Sequence, residues 1–182
     1  MIIFLNGPPR CGKDTGAQIL LRRVPGAVEY KMSWPLKRSI PQMFMLSPEQ
    51  VAEFEKDKER PRLELGGLSW RETQIWLSED VIKPKFGHSF FGRIATAYMR
   101  HNPTSYHVIS DSGFREEALP VVHEFGPEQC RLIQVHRPGT SFAGDSRSWV
   151  DLSDVGVRPL KVLNDSTLEV YEHRLLASLR LP

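Results

Sequence analysis

A glycine-bounded loop between an apolar run and a predicted helix constrains this chain more than any other feature of its sequence. The loop, GPPRCGK, begins at Gly7, ends at Lys13 and fits the pattern GxxxxGK. The run IIFL at positions 2–5 precedes it and is typical of a strand buried on both faces of a parallel sheet. Residues 13–23 contain no helix breaker other than one glycine and predict a helix. Strand, loop and helix in this order form the opening unit of an α/β fold.

The residue types in this loop suit the binding of a phosphate group. Gly7 and Gly12 permit backbone angles and a close approach that side chains would block, so successive N–H groups can surround an anion. The dipole of the following helix favours the same negative charge. Lys13 would place an ammonium against the β and γ oxygens, and the Arg10 guanidinium could add donors to them. The alternative interpretation of the loop is a glycine-rich turn that binds no ligand. The alternative interpretation of Arg10 is a surface arginine in contact with solvent.

The loop departs from its usual form at one position. Asp14 stands where a Ser or Thr hydroxyl normally reaches a magnesium ion, and Thr15 follows one place later. A carboxylate there can hold the ion directly or through water, but it also repels the phosphates. Cys11 lies near a helix N-terminus, a position that lowers the pKa of a thiol, but it has no neighbouring base in the sequence. We therefore interpret Cys11 as a small loop residue.

Strands and helices alternate along the rest of the chain. This alternation indicates a mainly parallel sheet with ligands at the carboxyl ends of its strands. Thr140 to Leu152 is polar and rich in Gly and Ser, which predicts a flexible loop. The patterns predict strands at 27–32, 106–110, 131–136 and 162–163, and helices at 35–44 with a break or kink at Pro41, from Ser47, at 69–80, from His88 and at 115–125. A last helix follows Ser166, with Leu168, Tyr171, Leu175 and Leu179 on one face.

The composition is that of an ordinary globular protein: 182 residues, of which 40% are hydrophobic and 25% charged. Lys and Arg number 24 against 22 Asp and Glu, and the net charge of +2 favours neither nucleic acid nor an anionic membrane as a partner. No apolar run is long enough for a membrane span or a signal peptide, so we expect a cytoplasmic protein. Cys11 and Cys130 form neither a CxxC pair nor a disulfide framework, and they do not indicate a zinc site.

Several segments in order resemble the bacteriophage deoxynucleoside monophosphate kinases, a group of P-loop kinases. They are IIFLNGPPRCGKDT, YKMSWPLKRSI, SWRETQIWLSEDVIKPKFG, VISDSGFREE, VHRPG with DSRSWV, and LNDSTLEVYEHRL. The resemblance implies the P-loop kinase fold, an α/β fold with a five-stranded, mainly parallel sheet flanked by helices. It implies one domain over residues 1–182, with a helical acceptor-binding region at about 34–100 and a lid at about 138–152. The GKDT ending also resembles phosphomevalonate kinase.

The activity that this resemblance implies is transfer of the γ-phosphoryl group of ATP to a deoxynucleoside monophosphate, with Mg²⁺ present. The partners are then small molecules, and the chain would be a monomer or homodimer, in the host cytoplasm if phage-encoded. Because donor and acceptor phosphates repel each other, cations are needed on both sides of the transferring group. Lys13 and Arg10 would supply them from the loop, and Arg137 and Arg147 from the lid, with Asp145 orienting Arg147.

The resemblance also implies roles for residues that follow the strands or begin the helices. Asp111 would help to hold magnesium or the acceptor, although it could simply cap the next helix, and Asp14 is the second candidate metal ligand. Asn164 corresponds to the loop that contacts adenine. Lys37 and Arg71 are the candidates for acceptor binding, and the alternative is that both are ordinary surface charges. Lys83 and Lys85 are weaker candidates for the same role. The phage pattern has an arginine two places after the aspartate, but this sequence reads DSGFR, so the resemblance does not assign Arg115 a phosphate role.

Two other classes of function stay open on the sequence. The first is a P-loop kinase for another small metabolite, such as phosphomevalonate or dephospho-coenzyme A. The second is a nucleotide-dependent switch or a non-catalytic nucleotide-binding module. The switch has weaker support because the sequence contains no NKxD element and Asp111 is followed by Ser112 instead of the Glu of a typical ATPase.

Overall fold

A five-stranded parallel sheet organises the computed structural model, which describes residues 1–180. The strands are β1 (Ile2–Asn6), β2 (Ala27–Tyr30), β3 (Tyr106–Ile109), β4 (Cys130–His136) and β5 (Pro159–Leu163). They are arranged in the order β2-β3-β1-β4-β5, and every neighbouring pair is parallel. The predicted five-stranded sheet is therefore confirmed, with β1 at its centre.

Helices occupy most of the connections between these strands, and one more helix follows β5. They are α1 (Lys13–Arg23), α2 (Trp34–Met43), α3 (Pro48–Lys56), α4 (Trp70–Ile75), α5 (Lys83–Phe86), α6 (Phe90–His101), α7 (Arg115–Phe125) and α8 (Leu168–Ser178). A π-helix, Trp76–Ile82, joins α4 to α5. Within residues 1–180, no helix is long and apolar enough to cross a membrane.

The chain divides into two compact units. The first contains Met1–Met32 and the chain from Gly92 onward, and it holds the whole sheet. The second, Ser33–Phe91, contains α2 to α5. Its core includes the buried side chains of Leu36, Ile40, Phe54 and Trp70.

The core of the first unit lies against β1. Every residue of β1 is buried, as expected for a central strand with both faces covered. Its neighbours in the core include Tyr171 and Leu175 of α8. The predicted apolar face of α8 is wrong at one position, because Leu168 is half-exposed. Residues 165–170 are exposed throughout, so burial of this face begins only at Tyr171.

Several predicted boundaries differ from the structure, most of them by one to three residues. Strand β2 ends at Tyr30, two residues early, and β5 begins three residues early, at Pro159. A proline is tolerated there because β5 is an edge strand. The helix predicted at 69–80 is α-helical only to Ile75 before the π-helix begins. Helix α2 continues through Pro41 and ends at Met43.

Two helix starts follow from local hydrogen bonding and are confirmed. Ser47 accepts a hydrogen bond from the backbone N–H of Gln50, whose side chain accepts one from the backbone N–H of Ser47. Ser69 and Glu72 form the same reciprocal pair at the start of α4. Each pair satisfies two N–H groups that a helix N-terminus leaves free.

Candidate active site

Close packing around two glycines shapes the loop between β1 and α1. Gly12 has φ +108°, and a Cβ atom there would lie 2.4 Å from Asn164 Nδ2. A Cβ atom on Gly7 would lie 2.6 Å from the Val135 carbonyl oxygen and 2.7 Å from Cys11 Sγ. A side chain would therefore collide with the protein at either position. These contacts fit a loop whose backbone is shaped to surround an anion.

The Lys13 side chain turns back onto this loop. Its Nζ donates hydrogen bonds to the carbonyl oxygens of Gly7, at 2.6 Å, and Pro8, at 2.8 Å. The residue is only 9% exposed. Burial lowers the pKa of the Lys13 ammonium, and the positive charge of Arg147 lowers it further. The charges of two predicted cations, Lys13 and Arg147, therefore act on each other.

Cys11 is a buried part of the loop wall. Its Sγ lies 3.8 Å from Lys13 Nζ. Burial raises the pKa of the Cys11 thiol, so the low pKa expected near a helix N-terminus does not arise. The interpretation as a small loop residue agrees with this environment. Cys130 is also a buried free thiol.

Arg10 and Arg137 lie together on the exposed side of the loop. Arg10 has φ +63°, a left-handed conformation uncommon for a residue with a side chain. Its carbonyl oxygen accepts a hydrogen bond from Arg137 Nη1 at 3.5 Å. Both residues are exposed, so both guanidinium groups are accessible to an anion from solvent.

Asn164 and Tyr171 brace the loop from the other side. Asn164 Nδ2 donates to the Cys11 carbonyl oxygen at 2.8 Å, and the Tyr171 hydroxyl donates to the Gly12 carbonyl oxygen at 3.1 Å. The sequence suggested a contact with adenine for Asn164 and only a core position for Tyr171. The sequence did not reveal that the Asn164 amide and the Tyr171 hydroxyl bind the loop, because each hydrogen bond joins residues about 150 positions apart.

Arg147 is held by its predicted partner Asp145. Arg147 Nε and Nη2 donate to the two carboxylate oxygens of Asp145 at 2.8 and 2.6 Å. This charged pair raises the pKa of Arg147. Gly113 is a further residue that sequence reasoning missed: a Cβ atom there would lie 2.4 Å from Arg147 Cδ. The stem of the arginine therefore passes directly over a glycine that leaves it room.

The candidate metal ligands Asp14 and Asp111 have different surroundings. The Asp14 side chain is 83% exposed and accepts a 2.9 Å hydrogen bond from Lys31 Nζ, a partner that the sequence did not suggest. Asp111 Oδ1 accepts a 2.7 Å hydrogen bond from the Met32 backbone N–H. Thr15 is also exposed, in the first turn of α1.

The donor set fits a magnesium ion that arrives with a nucleotide. Among the residues that the structure describes, no group of three or more His, Cys, Asp or Glu side chains could hold a metal ion. Mg²⁺ is commonly held by one or two carboxylates together with substrate phosphates and water. One exposed carboxylate, Asp14, directly after the glycine-bounded loop meets that requirement, with Asp111 as the second candidate.

An apolar cavity of about 210 Å³ lies beside the loop in the first unit, with Pro8, Arg137 and Leu163 among its lining residues. Another part of the lining is Trp149, whose ring stacks on His136 with the centroids 4.2 Å apart. Phe142 packs edge-on against Trp149. These aromatic contacts hold the irregular segment after β4 against the end of that strand.

The candidates for acceptor binding in the second unit are ion-paired. Lys37 Nζ lies 2.8 Å from Glu55, and Arg71 Nε donates to Glu59. The weaker candidate Lys83 is buried and lies 2.7 Å from Glu79. Lys85 is exposed at the end of α5.

Replacing Glu55 with glutamine should lower the free energy of unfolding by about 1 to 2 kcal/mol at neutral pH. Burial raises the pKa of Glu55, but hydrogen bonds from Lys37 and Trp70 outweigh it and lower the pKa to about 2. The stability supplied by the ionised form is fully present above about pH 4.5 and is lost as the pH falls toward 2. Urea titrations should show the wild-type advantage shrinking over that range.

The control for this prediction is the exposed Glu116, replaced by glutamine, which should change the free energy of unfolding by less than about 0.5 kcal/mol. An equal advantage of wild type over Glu55→Gln at pH 3 and pH 7 would contradict the prediction.

The order of the strands and the position of the loop together identify the fold. A five-stranded parallel sheet whose central strand leads through GxxxxGK into the first helix is the P-loop kinase fold. A sugar kinase from Janibacter sp. HTCC2649 superposes on the chain with a TM-score of 0.50, at 13% sequence identity, covering 99% of this chain and 94% of that chain. At this identity the likeness concerns the fold alone.

One sequence relative aligns with almost the whole chain. A protein of Acanthamoeba polyphaga mimivirus described as "Putative deoxynucleotide monophosphate kinase" is 26% identical over 188 residues, which cover 97% of this chain and 95% of the relative. No family model matches the chain.

Proposed function

We propose that this protein is an ATP-dependent kinase that transfers the γ-phosphoryl group of ATP to a deoxynucleoside monophosphate, giving ADP and a deoxynucleoside diphosphate. The observation that carries the proposal is the loop after β1, whose two glycines leave no room for side chains and onto whose carbonyl oxygens the buried Lys13 ammonium turns back. The resemblance of the sequence to deoxynucleoside monophosphate kinases and the description of the mimivirus relative support the choice of acceptor.

The proposed mechanism depends on positioning and charge neutralisation. The loop N–H groups and Lys13 bind the β and γ phosphates of ATP, and Lys13 exchanges its carbonyl contacts for phosphate oxygens. Arg10 and Arg137 bind from the exposed side, where both are accessible. Arg147 neutralises the charge that develops on the transferring group, since Asp145 holds its guanidinium in one orientation.

Magnesium would supply further charge neutralisation when bound with ATP, held by Asp14 and Asp111 together with phosphate oxygens. Lys31 offsets the charge of Asp14 and so reduces its repulsion toward the phosphates. Asn164 contributes by holding the loop and lies on the side proposed for adenine.

Acceptor binding is assigned to the helical region at about 34–100, and closure over the phosphates to the segment at about 138–152. Lys37 and Arg71 would bind the acceptor phosphate in place of Glu55 and Glu59. Asp111 would hold the acceptor or the metal.

The experiment that tests this function is a panel of ADP-formation assays with ATP and Mg²⁺. Each deoxynucleoside monophosphate and each ribonucleoside monophosphate is offered separately, alongside phosphomevalonate and dephospho-coenzyme A. We expect at least one deoxynucleoside monophosphate to give the highest kcat/KM. Stimulation by one of the two other metabolites alone would assign the protein to a different P-loop kinase activity. ATP binding without ADP formation under any condition would indicate a non-catalytic module.

Replacing Arg147 with alanine should lower kcat by about 100-fold while changing the Kd for ATP, measured without acceptor, by less than about threefold. The reason is that this guanidinium is proposed to act on charge that develops during transfer. Arg115→Ala is the matched control, because Arg115 is also bound by a carboxylate, that of Asp154, but takes no part in the proposed mechanism. An unchanged kcat in Arg147→Ala would remove Arg147 from the proposed site.

A further inference from the structure

The last residue of β1, Asn6, is a buried amide whose hydrogen bonds join distant parts of the first unit. It is fully buried, and its Nδ2 donates to the carbonyl oxygens of Ser112, at 2.9 Å, and Ser148, at 3.1 Å. Its Oδ1 accepts a hydrogen bond from the Val150 backbone N–H at 3.0 Å. One side chain therefore satisfies backbone groups of two segments that are far apart in the sequence.

One of these segments carries Arg147, and the other contains Gly113, against which the Arg147 stem packs. Ser112 precedes Gly113, the glycine over which the arginine stem lies, and Ser148 directly follows Arg147. The two hydrogen bonds from Asn6 thus join the backbone next to Gly113 to the backbone next to Arg147. Asn6 also precedes Gly7, so the same residue joins this backbone to the start of the loop.

We propose that Asn6 is a positioning residue, which places the Arg147 guanidinium relative to Lys13 by holding the Ser112 and Ser148 carbonyl oxygens on one amide. The inference deepens the proposed function and rests on it, because the purpose of the placement is phosphoryl transfer. Its effect is expected to be large for a residue that touches no substrate, since small displacements of a catalytic cation cost much of the rate.

The adjacent residue in the sheet provides a matched control. Gln134 of β4 lies beside Asn6 in the register of the sheet and is also buried. Its Nε2 donates to the Val150 carbonyl oxygen at 2.9 Å, which ties down the same segment without a bond to Ser112 or Ser148. Gln134→Met therefore removes a buried amide of the same sheet edge and leaves the two contacts around Arg147 in place.

Two variants of Asn6 remove the contacts to different extents. Asn6→Ala removes all three hydrogen bonds. Asn6→Asp keeps the size of the side chain and an acceptor for the Val150 N–H, but it replaces the amide nitrogen that faces the two carbonyl oxygens. If the alanine variant fails to fold, the aspartate variant tests the same two bonds.

The first arm of the experiment is hydrogen exchange measured by NMR at the Arg147 backbone N–H, which bonds to Asp145 and not to Asn6. We expect exchange at this N–H to accelerate about tenfold in the Asn6 variants and less than about threefold in Gln134→Met. Unchanged protection of Arg147 in folded Asn6 variants would overturn the proposal.

The second arm is kinetic. Asn6→Ala or Asn6→Asp should lower kcat about tenfold with little change in the KM for ATP, and should cost almost nothing further in an Arg147→Ala background. A purely structural role for Asn6 would instead lower kcat by the same factor in both backgrounds, and that result would overturn the proposal.

Failure of the proposed function has a different signature. If the wild-type protein forms no ADP with any nucleotide, the kinase assignment fails, and the exchange arm alone decides whether Asn6 holds Arg147. Faster exchange at the Arg147 N–H in the Asn6 variants would then show that Asn6 positions Arg147, but not for catalysis. Unchanged exchange would rule out both the positioning of Arg147 by Asn6 and its catalytic purpose.

Discussion

Replacing Lys13 with alanine is expected to lower kcat for phosphoryl transfer by about a thousandfold while the protein stays folded. The ammonium lies in the loop proposed to bind the β and γ phosphates, where burial limits screening by water. Its contacts in the structure are with loop carbonyl oxygens and a thiol, and it supports no apolar core. We therefore expect the free energy of unfolding to change by less than about 1.5 kcal/mol. Steady-state ADP formation and urea titration measure the two quantities.

The control for this variant is Lys56→Ala, which removes an exposed lysine at the end of α3. Its kcat should stay within about twofold of wild type. Wild-type turnover in Lys13→Ala would contradict the assignment of the loop, whereas a loss of turnover together with unfolding would show that the lysine is structural.

Replacing Gly12 with alanine is expected to lower the affinity for ATP by about 100-fold and the free energy of unfolding by about 2 to 4 kcal/mol. A side chain is strained at φ +108°, and the added Cβ atom would overlap Asn164 Nδ2. The amide of Asn164 must then move and release the Cys11 carbonyl oxygen, which opens the loop. Calorimetric titration with ATP and urea unfolding test the two effects.

Gly67→Ala separates backbone strain from the collision. Gly67 also has a positive φ, +89°, but nothing lies within 4 Å of the position that its Cβ atom would take. This variant should lose about 1 kcal/mol of stability and keep its ATP affinity. The double variant Gly12→Ala with Asn164→Ala should regain no affinity, because the Cys11 carbonyl oxygen has lost its amide donor in both variants. An ATP affinity within threefold of wild type in Gly12→Ala would contradict the proposed use of the loop.

Much of the fold could be predicted because the signals are local. The apolar run before Gly7 and the glycine spacing predicted strand, loop and helix, and the reciprocal hydrogen bonds at Ser47 and Ser69 were visible as short patterns. The prediction from apolar spacing was wrong where tertiary packing decides whether a residue is buried or belongs to a strand. Leu168 has the spacing of a core residue but lies in an exposed turn, and Pro159 begins a strand because the edge of the sheet does not need its N–H.

The candidate site divides in the same way. The sequence alone identified the residues with suitable chemistry, since Lys13, Arg10 and Asp14 belong to one short motif whose backbone geometry is set by its glycines. Only the tertiary structure decided which distant groups meet them. The order of the strands places the end of β1 beside the segments at 112 and 148, so that Asn6 can bond to both.

Asn164 is a further example of a contact that the sequence could not reveal. Its amide braces the loop across more than 150 residues, a separation at which no spacing pattern operates. Motifs and periodicity record interactions along one element, whereas these contacts depend on how the crossovers arrange the strands. Short segments of the sequence therefore determine which chemical groups the site contains. The relative positions of those groups are determined only when the parallel sheet brings the segments to one edge.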